Sequence, residues 1–245
     1  MSSIPKRWRD RNLLTFAVVL RSGGDYVKED PIILSRQVMR HLHIPHRFIC
    51  LTDLQIDDFY VEEFPLENNW PGWWSVIELF RITGPVIVTG LDTLIIDSID
   101  RLGEMALTCP ETDFYMTRPQ PDGIIRGEKF CSGMMIWNGD WSWLYKGFIP
   151  HRHIDRFRRE QRYTTWQLLK NNVNVRTLQK EFDGFYSYKN DCRKEVPADA
   201  KVIGFHGHPR PREAEDKWVH DVLNDYSLPP HSFVEVFEKA HAEGI

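Results

Sequence analysis

Residues Pro85 to Asp97 read Pro-Val-Ile-Val-Thr-Gly-Leu-Asp-Thr-Leu-Ile-Ile-Asp, two short apolar runs parted by one carboxylate, Asp92. Val- and Ile-rich runs this short, flanked by Gly and Pro, suit strands covered on both faces, as in a sheet with helices packed on either side. An ionised Asp in such surroundings is costly unless it meets a cation or hydrogen-bond donors. Ligands of open α/β sheets bind just beyond the carboxyl ends of the strands. Asp92 is therefore the first candidate for the working centre of the chain.

The remaining sequence alternates in the same way. Leu13 to Leu20 reads as a first buried strand, broken at Arg21-Ser22-Gly23-Gly24-Asp25, a turn where backbone can approach a ligand closely. Asp30 reads as the cap of a helix with Pro31 at its first position, and Leu34, Val38 and Leu42 recur at helical spacing. Phe48 to Leu51 reads as a second strand ending at Thr52-Asp53, and Val61 to Leu66 as an edge. Gly72 to Ile82 reads as a helix with Trp73, Ile77 and Phe80 on one side, leading into a strand at Val86 to Thr89. Further strands are expected at Asp113 to Thr117, Met134 to Trp137 and Lys201 to Phe205. Helices are expected around Trp141 to Phe148, around Thr165 to Asn171, and at the C-terminus, where Ser232 and Glu235 have capping-box spacing. No linker or repeat intervenes. Residues 1–245 are thus expected to form a single α/β domain with a mixed central sheet, preceded by a polar tail over residues 1–12.

A chain of 245 residues buries roughly three quarters of its unfolded surface, so such a core needs no staple. The net charge of −4 gives no general pull toward nucleic acid or anionic membrane. Cys50, Cys109, Cys131 and Cys192 lie far apart and form no C-x-x-C pair, which suits reduced thiols better than disulfides or a zinc site. Met1 to Asn12 lacks the apolar core of a signal peptide, and no run approaches the roughly 20 apolar residues of a membrane span. A soluble, cytoplasmic protein is expected. Tryptophan is the unusual component: Trp70, Trp73 and Trp74 cluster, as do Trp137, Trp141 and Trp143. Such clusters pack cores and also wall sites for sugars and bases.

If the strands end on one side, three segments converge: Arg21 to Asp25, Gly90-Leu91-Asp92-Thr93, and Phe205-His206-Gly207-His208. A carboxylate and an imidazole suit a divalent ion such as Mn²⁺. A substrate with a diphosphate leaving group would need that ion, or an Arg/Lys cluster, to absorb the charge it builds.

The stretches Trp70-Pro71-Gly72-Trp73-Trp74-Ser75, Ile77-Glu78-Leu79-Phe80, Leu91-Asp92-Thr93, Ser132-Gly133-Met134-Met135-Ile136-Trp137-Asn138, Ser187-Tyr188-Lys189 and Phe205-His206-Gly207-His208-Pro209-Arg210-Pro211 occur in this order across nearly the whole chain. The set resembles a group of bacterial and phage glycosyltransferases of the GT-A fold, related to the retaining family 8 that includes glycogenin. The resemblance implies a Rossmann-like, mostly parallel sheet flanked by helices, a nucleotide-sugar donor (usually a UDP-sugar), and a Mn²⁺ or Mg²⁺ ion. In that pattern Asp92 matches the second acid of an Asp-x-Asp motif, and His206 sits in or next to the late metal-ligand loop. Lys189, Arg210 and Arg212 would contact phosphate. Arg21, Gly23, Asp25 and Tyr26, with Thr52 and Asp53, would cradle the base and ribose. Trp74, in the Trp-Trp-Ser motif, would stand on the donor side, and Ser132 and Gly133 would face the donor sugar.

The departures are as informative. Gly90 stands where the pattern has its first Asp, and Val76 where it has a donor-contacting Lys. Tyr163 to Gln167 holds no Gly-Asp-Gln, Trp166 taking the place of the acid, and Arg212 replaces a usual Trp. Losing a metal carboxylate and a donor Lys leaves two readings. Arg210, Arg212 or Lys189 neutralise the diphosphate in place of the ion, or the chain is a binding or scaffolding protein on a transferase fold. Finally, the run from His151 to Arg162 carries five arginines. On one helix, Arg152, Arg156 and Arg159 would share a face able to grip an acceptor, either a glycan or a modified base in DNA.

Overall fold

The computed structural model describes residues 13–119 and 128–225. The tail over residues 1–12 and the expected C-terminal helix with Ser232 and Glu235 lie outside them. The first apolar run forms β1 (Leu14–Leu20), followed by α1 (Glu29–His41), β2 (His46–Thr52) and β3 (Glu62–Pro65). A 3-10 helix over Gly72–Arg81 leads into β4 (Val86–Thr89), and β5 (Thr93–Ile95) begins one residue after Asp92. Then come α2 (Asp100–Thr108), β6 (Asp113–Thr117), β7 (Cys131–Trp137), α3 (Ser142–Lys146), α4 (Pro150–Phe157) and α5 (Glu160–Lys170). Next come β8 (Asn174–Thr177), β9 (Phe185–Ser187), β10 (Val202–Gly204) and α6 (Lys217–Leu223), with 3-10 turns at Leu178–Lys180 and Pro211–Glu213 and a π-helix at Tyr188–Cys192 between them.

Seven strands form one sheet in the order β3-β2-β1-β4-β7-β6-β8. All neighbours are parallel except β7, which runs antiparallel to β4 and to β6. The strands alternate their side chains between two cores. Phe16 and Val18 join Leu34, Val38, Leu102 and Met105 on one face. Ala17, Ile49 and Leu51 join Trp74, Ile77, Phe80, Leu144 and Leu168 on the other. The expected mixed, mostly parallel sheet flanked by helices is what forms. Trp137 and Trp141 pack in the second core, with Trp137 stacked on Phe114 at 5.5 Å between ring centroids.

Chain order reverses between β1 and β4, because β2 and β3 lie to one side of β1 and β4 to the other. A crevice therefore opens beyond the carboxyl ends of β1 and β4. A smaller sheet, β5-β10-β9, aligns Gly204 with both Thr93 and Ser187. That register carries the late Phe205-His206 segment to the same place as Asp92.

Several local expectations are corrected. Asp30 is not the helix cap: α1 starts at Glu29, and the Asp30 carboxylate accepts from the Val27 N–H at 2.8 Å within the first turn. Pro31 is the third residue of α1 rather than the first, where its missing N–H still costs nothing. The Gly72–Arg81 helix is 3-10 rather than α. A period of three puts Trp74, Ile77 and Phe80 in one buried row and leaves Trp73 61% exposed, where a period of 3.6 would have paired Trp73 with Ile77. The arginine run is broken as well. Arg158 takes a left-handed backbone (φ 62°) that ends α4, and Arg159 precedes α5, so Arg152, Arg156 and Arg159 share no helix face.

Candidate functional site

The β1 turn, the β4–β5 junction and the late loop do converge, and Arg210 joins them. Its guanidinium donates to Asp25 Oδ2 at 2.7 Å and to Asp92 Oδ2 at 3.3 Å, and lies 5.0 Å over the Tyr26 ring. The Phe205 N–H also donates to the Asp92 carbonyl at 2.6 Å, fixing the late loop to the junction. Arg210 Nε is buried and has no hydrogen-bond partner among the described residues. Burial raises the Asp92 pKa, an effect that the Arg210 charge opposes. The Tyr26 phenol is pushed well above its ordinary range, first by burial and then by the adjacent Asp92 charge.

Neighbouring contacts fix the rim. Asp53 accepts from the Ser22 N–H at 2.8 Å and from the Ser22 hydroxyl at 2.7 Å, tying the end of β2 to the β1 turn. Burial acts to raise the Asp53 pKa, but these Ser22 bonds outweigh it and hold the carboxyl below its usual range. Thr52 is buried and its hydroxyl accepts from the Leu54 N–H at 3.0 Å, while Gly23 adopts φ 77° at an exposed turn. Arg21 reaches away from Asp92, donating to the Asn68 carbonyl at 3.1 Å and to Asn69. Arg212 is committed to the first turn of α1 through Asp30 at 2.7 Å. Lys189 Nζ stands beside Gly207, and the Lys189 side chain has no hydrogen-bond or ion-pair partner among the described residues.

Ser132 and Gly133 adjoin the same junction from β7. The Gly133 carbonyl accepts from the Gly90 N–H at 3.2 Å and the Thr89 hydroxyl at 3.0 Å. The Ser132 hydroxyl donates to Glu160, a buried acid at the start of α5, and Cys131 Sγ lies 3.5 Å from Gln161 Oε1. Glu160 and Gln161 lie just outside Tyr163 to Gln167, the stretch in which the sequence reading expects an acidic motif and finds none. The signal was Arg159-Glu160-Gln161, an acid followed by Gln, just ahead of that stretch. Trp166 does not fill this place, since Arg156 and Lys170 each lie 4.8 Å over its ring. Trp74, expected on the donor side, is 3% exposed and stacks on Phe148 at 5.2 Å within the second core.

Burial raises the Glu160 pKa, against the opposing pull of the Ser132 hydrogen bond. The folded protein therefore holds this proton more tightly than the unfolded chain. Its stability contribution is full below the ordinary Glu pKa and is lost as pH rises through the raised value. Glu160→Gln lacks that term. Melting temperatures measured across acid to neutral pH should show the variant gaining on wild type as pH rises; parallel curves would contradict the assignment.

The residues present do not fit a divalent-ion site. Asp92 faces the Arg210 cation, and the His206 Nε2 bonds to the Ser187 hydroxyl at 2.8 Å. Among the described residues no group of three or more His, Cys, Asp or Glu could hold a metal. A Cβ at Gly90 would sit 2.4 Å from Asp92 Oδ1, so a second carboxylate there forces Asp92 to move from its present place. Gly90→Asp should therefore melt lower in EDTA and recover with millimolar Mn²⁺, since two close carboxylates without a cation repel. An unchanged melting temperature in both conditions would contradict this.

No protein-family model and no curated protein matches the sequence. Among solved structures, the chain is similar to the galactosyltransferase LgtC in complex with donor and acceptor sugar analogs (12% identity, TM-score 0.57, 90% of this chain and 99% of LgtC). It is also similar to the apo form of the glycosyltransferase GlyE of Streptococcus pneumoniae TIGR4 (12% identity, TM-score 0.56, 94% of this chain). The match spans 64% of the GlyE chain. An active-site mutant of LgtC matches at 11% identity and a TM-score of 0.53. At these identities the likeness establishes the fold. No helix among the described residues is long and apolar enough to cross a membrane.

Proposed function

We propose that this GT-A-like chain is a glycosyltransferase that takes its sugar from a nucleotide diphosphate donor, a UDP-sugar, and neutralises the departing diphosphate with side-chain cations. The observation that carries the reading is Arg210. It sits at the carboxyl ends of β1 and β4, held in place by Asp25 and Asp92, with one buried N–H that has no partner among the described residues. A guanidinium so placed offers the forked, permanent charge that phosphate oxygens match. Lys189, beside Gly207, supplies a second cation, with no competing carboxylate partner among the described residues.

In this reading the Arg21 to Tyr26 turn and Thr52-Asp53 receive the nucleoside, and Asp92 acts as the counter-ion that orients Arg210. Ser132, Glu160 and Gln161 line the sugar side. As the glycosidic bond to the diphosphate breaks, negative charge grows on the phosphate oxygens, and cations already in place lower the barrier without reorganising. Thermal unfolding with UDP in EDTA tests binding: a ligand at 100 times its Kd stabilises the fold by about 2.7 kcal/mol. UDP release from UDP-sugars under the same conditions tests turnover. Binding without turnover on any of UDP-glucose, UDP-galactose and UDP-N-acetylglucosamine would favour a non-catalytic binding protein, and no UDP binding would overturn the proposal outright.

A further inference from the structure

A second cavity, of about 590 Å³, opens between the start of the 3-10 helix and the end of α4. Its walls are Pro71, Gly72, Trp73 and Trp74 on one side and Ile154, Asp155 and Arg158 on the other. Trp73 is the most exposed large apolar side chain among the described residues, at 61%. Asp155 and Arg158 are exposed, and neither has a side-chain hydrogen bond or ion pair among the described residues. The conformation of Arg158 adds a further observation. It ends α4 at φ 62°, a left-handed position where glycine is usual, so a guanidinium is kept at this wall against backbone preference.

We propose that this cavity is a binding site for neutral saccharides. Trp73 stacks on the apolar face of a pyranose ring, while Asp155 accepts from and Arg158 donates to its hydroxyls. The lining matches that chemistry in each part: an open indole for the C–H face, and one acceptor and one donor group with no net charge. The volume admits one or two rings. A nucleic acid fits less well, because Asp155 would face its phosphates. The cavity lining shares no residue with the Arg210, Asp92 and Asp25 cluster, and saccharide binding here does not depend on the donor reading. Only its use as the acceptor subsite rests on that reading.

The test is a titration of the protein with lactose, maltotriose and chitotriose, followed by tryptophan fluorescence and saturation-transfer NMR. Millimolar or tighter binding of at least one is expected, and Trp73→Ala should weaken it about tenfold or more. Arg158→Gly is the discriminating variant. It removes backbone strain, so the melting temperature should hold or rise, while saccharide affinity falls. UDP affinity should stay unchanged in both variants, which separates failure of this site from failure of the donor site. Three results would each overturn the proposal: no saccharide binding, binding indifferent to Trp73→Ala and Arg158→Gly, or displacement of the saccharide by a thymidine oligonucleotide.

Discussion

Arg210→Ala should raise the Kd for UDP roughly 100-fold, because truncating one member of a desolvated charge pair costs about 2–5 kcal/mol. Two losses combine. The diphosphate loses a forked donor, and Asp92 and Asp25 lose the cation that balanced them against an incoming anion. Asp92, with only 26% of its side chain exposed and its pKa already raised by burial, then holds its proton still more tightly. UDP binding by the variant should therefore be strongest in mild acid and weaken as pH rises through the Asp92 pKa, where the unpaired carboxylate ionises. Arg210→Lys keeps the charge without the fork and should fall between the two. Isothermal titration of all three proteins reads these values; equal affinity in Arg210→Ala would remove this side chain from the donor site.

Glu78→Ala should cost the fold about 3–5 kcal/mol, the loss expected when a buried ion pair is left with one partner. Glu78 is fully buried within the 3-10 helix. Its carboxylate accepts from the Glu67 and Asn68 N–H groups at 2.8 and 2.9 Å and from Arg81 at 2.8 Å. Arg81 in turn donates to the Pro65 carbonyl at 3.1 Å and pairs with Glu67 at 2.7 Å. Removing the carboxylate orphans two backbone donors and takes from the largely buried Arg81 guanidinium one of its two carboxylate partners. The consequence reaches the crevice, since Asn68 also receives Arg21 from the end of β1. Chemical denaturation should show the loss at unchanged m-value, and Glu78→Gln, which retains an acceptor oxygen, should lose less. A Glu78→Ala protein within 1 kcal/mol of wild type would contradict the network.

How far the sequence foretold this molecule depended on the length of each signal. β1, β2 and β4 are strands of four to seven residues built around apolar runs, and those runs and their flanking turns announce them. The strand ends in turn bring the turn at Arg21 to Asp25, Asp92 and the loop at Phe205 to His208 together. Tyr26 and Arg210 enter only through the resemblance, and the Arg210 pairing with Asp25 and Asp92 has no sequence signal. β5, β9 and β10 have three residues each, too few to display any period, and the smaller sheet was invisible as a unit. The break at Arg158 carries neither Gly nor Pro, so nothing local marked the end of α4. Glu160 looked like one more charge in a charged run, because burial of an acid is decided by the fold around it. The 3-10 helix shows a related limit. Trp73 and Trp74 are adjacent and chemically identical, and the difference between a period of 3.0 and 3.6 alone decides which is core and which is open to solvent.

The central claim is that side-chain cations, Arg210 foremost, carry the donor diphosphate. The most direct measurement is the Kd of UDP for the wild-type chain in excess EDTA and again in excess Mn²⁺, by titration calorimetry. The two affinities should agree within about tenfold, or 1.4 kcal/mol. Binding that appears only with Mn²⁺ would show that an ion does what is here assigned to Arg210, and would contradict the account.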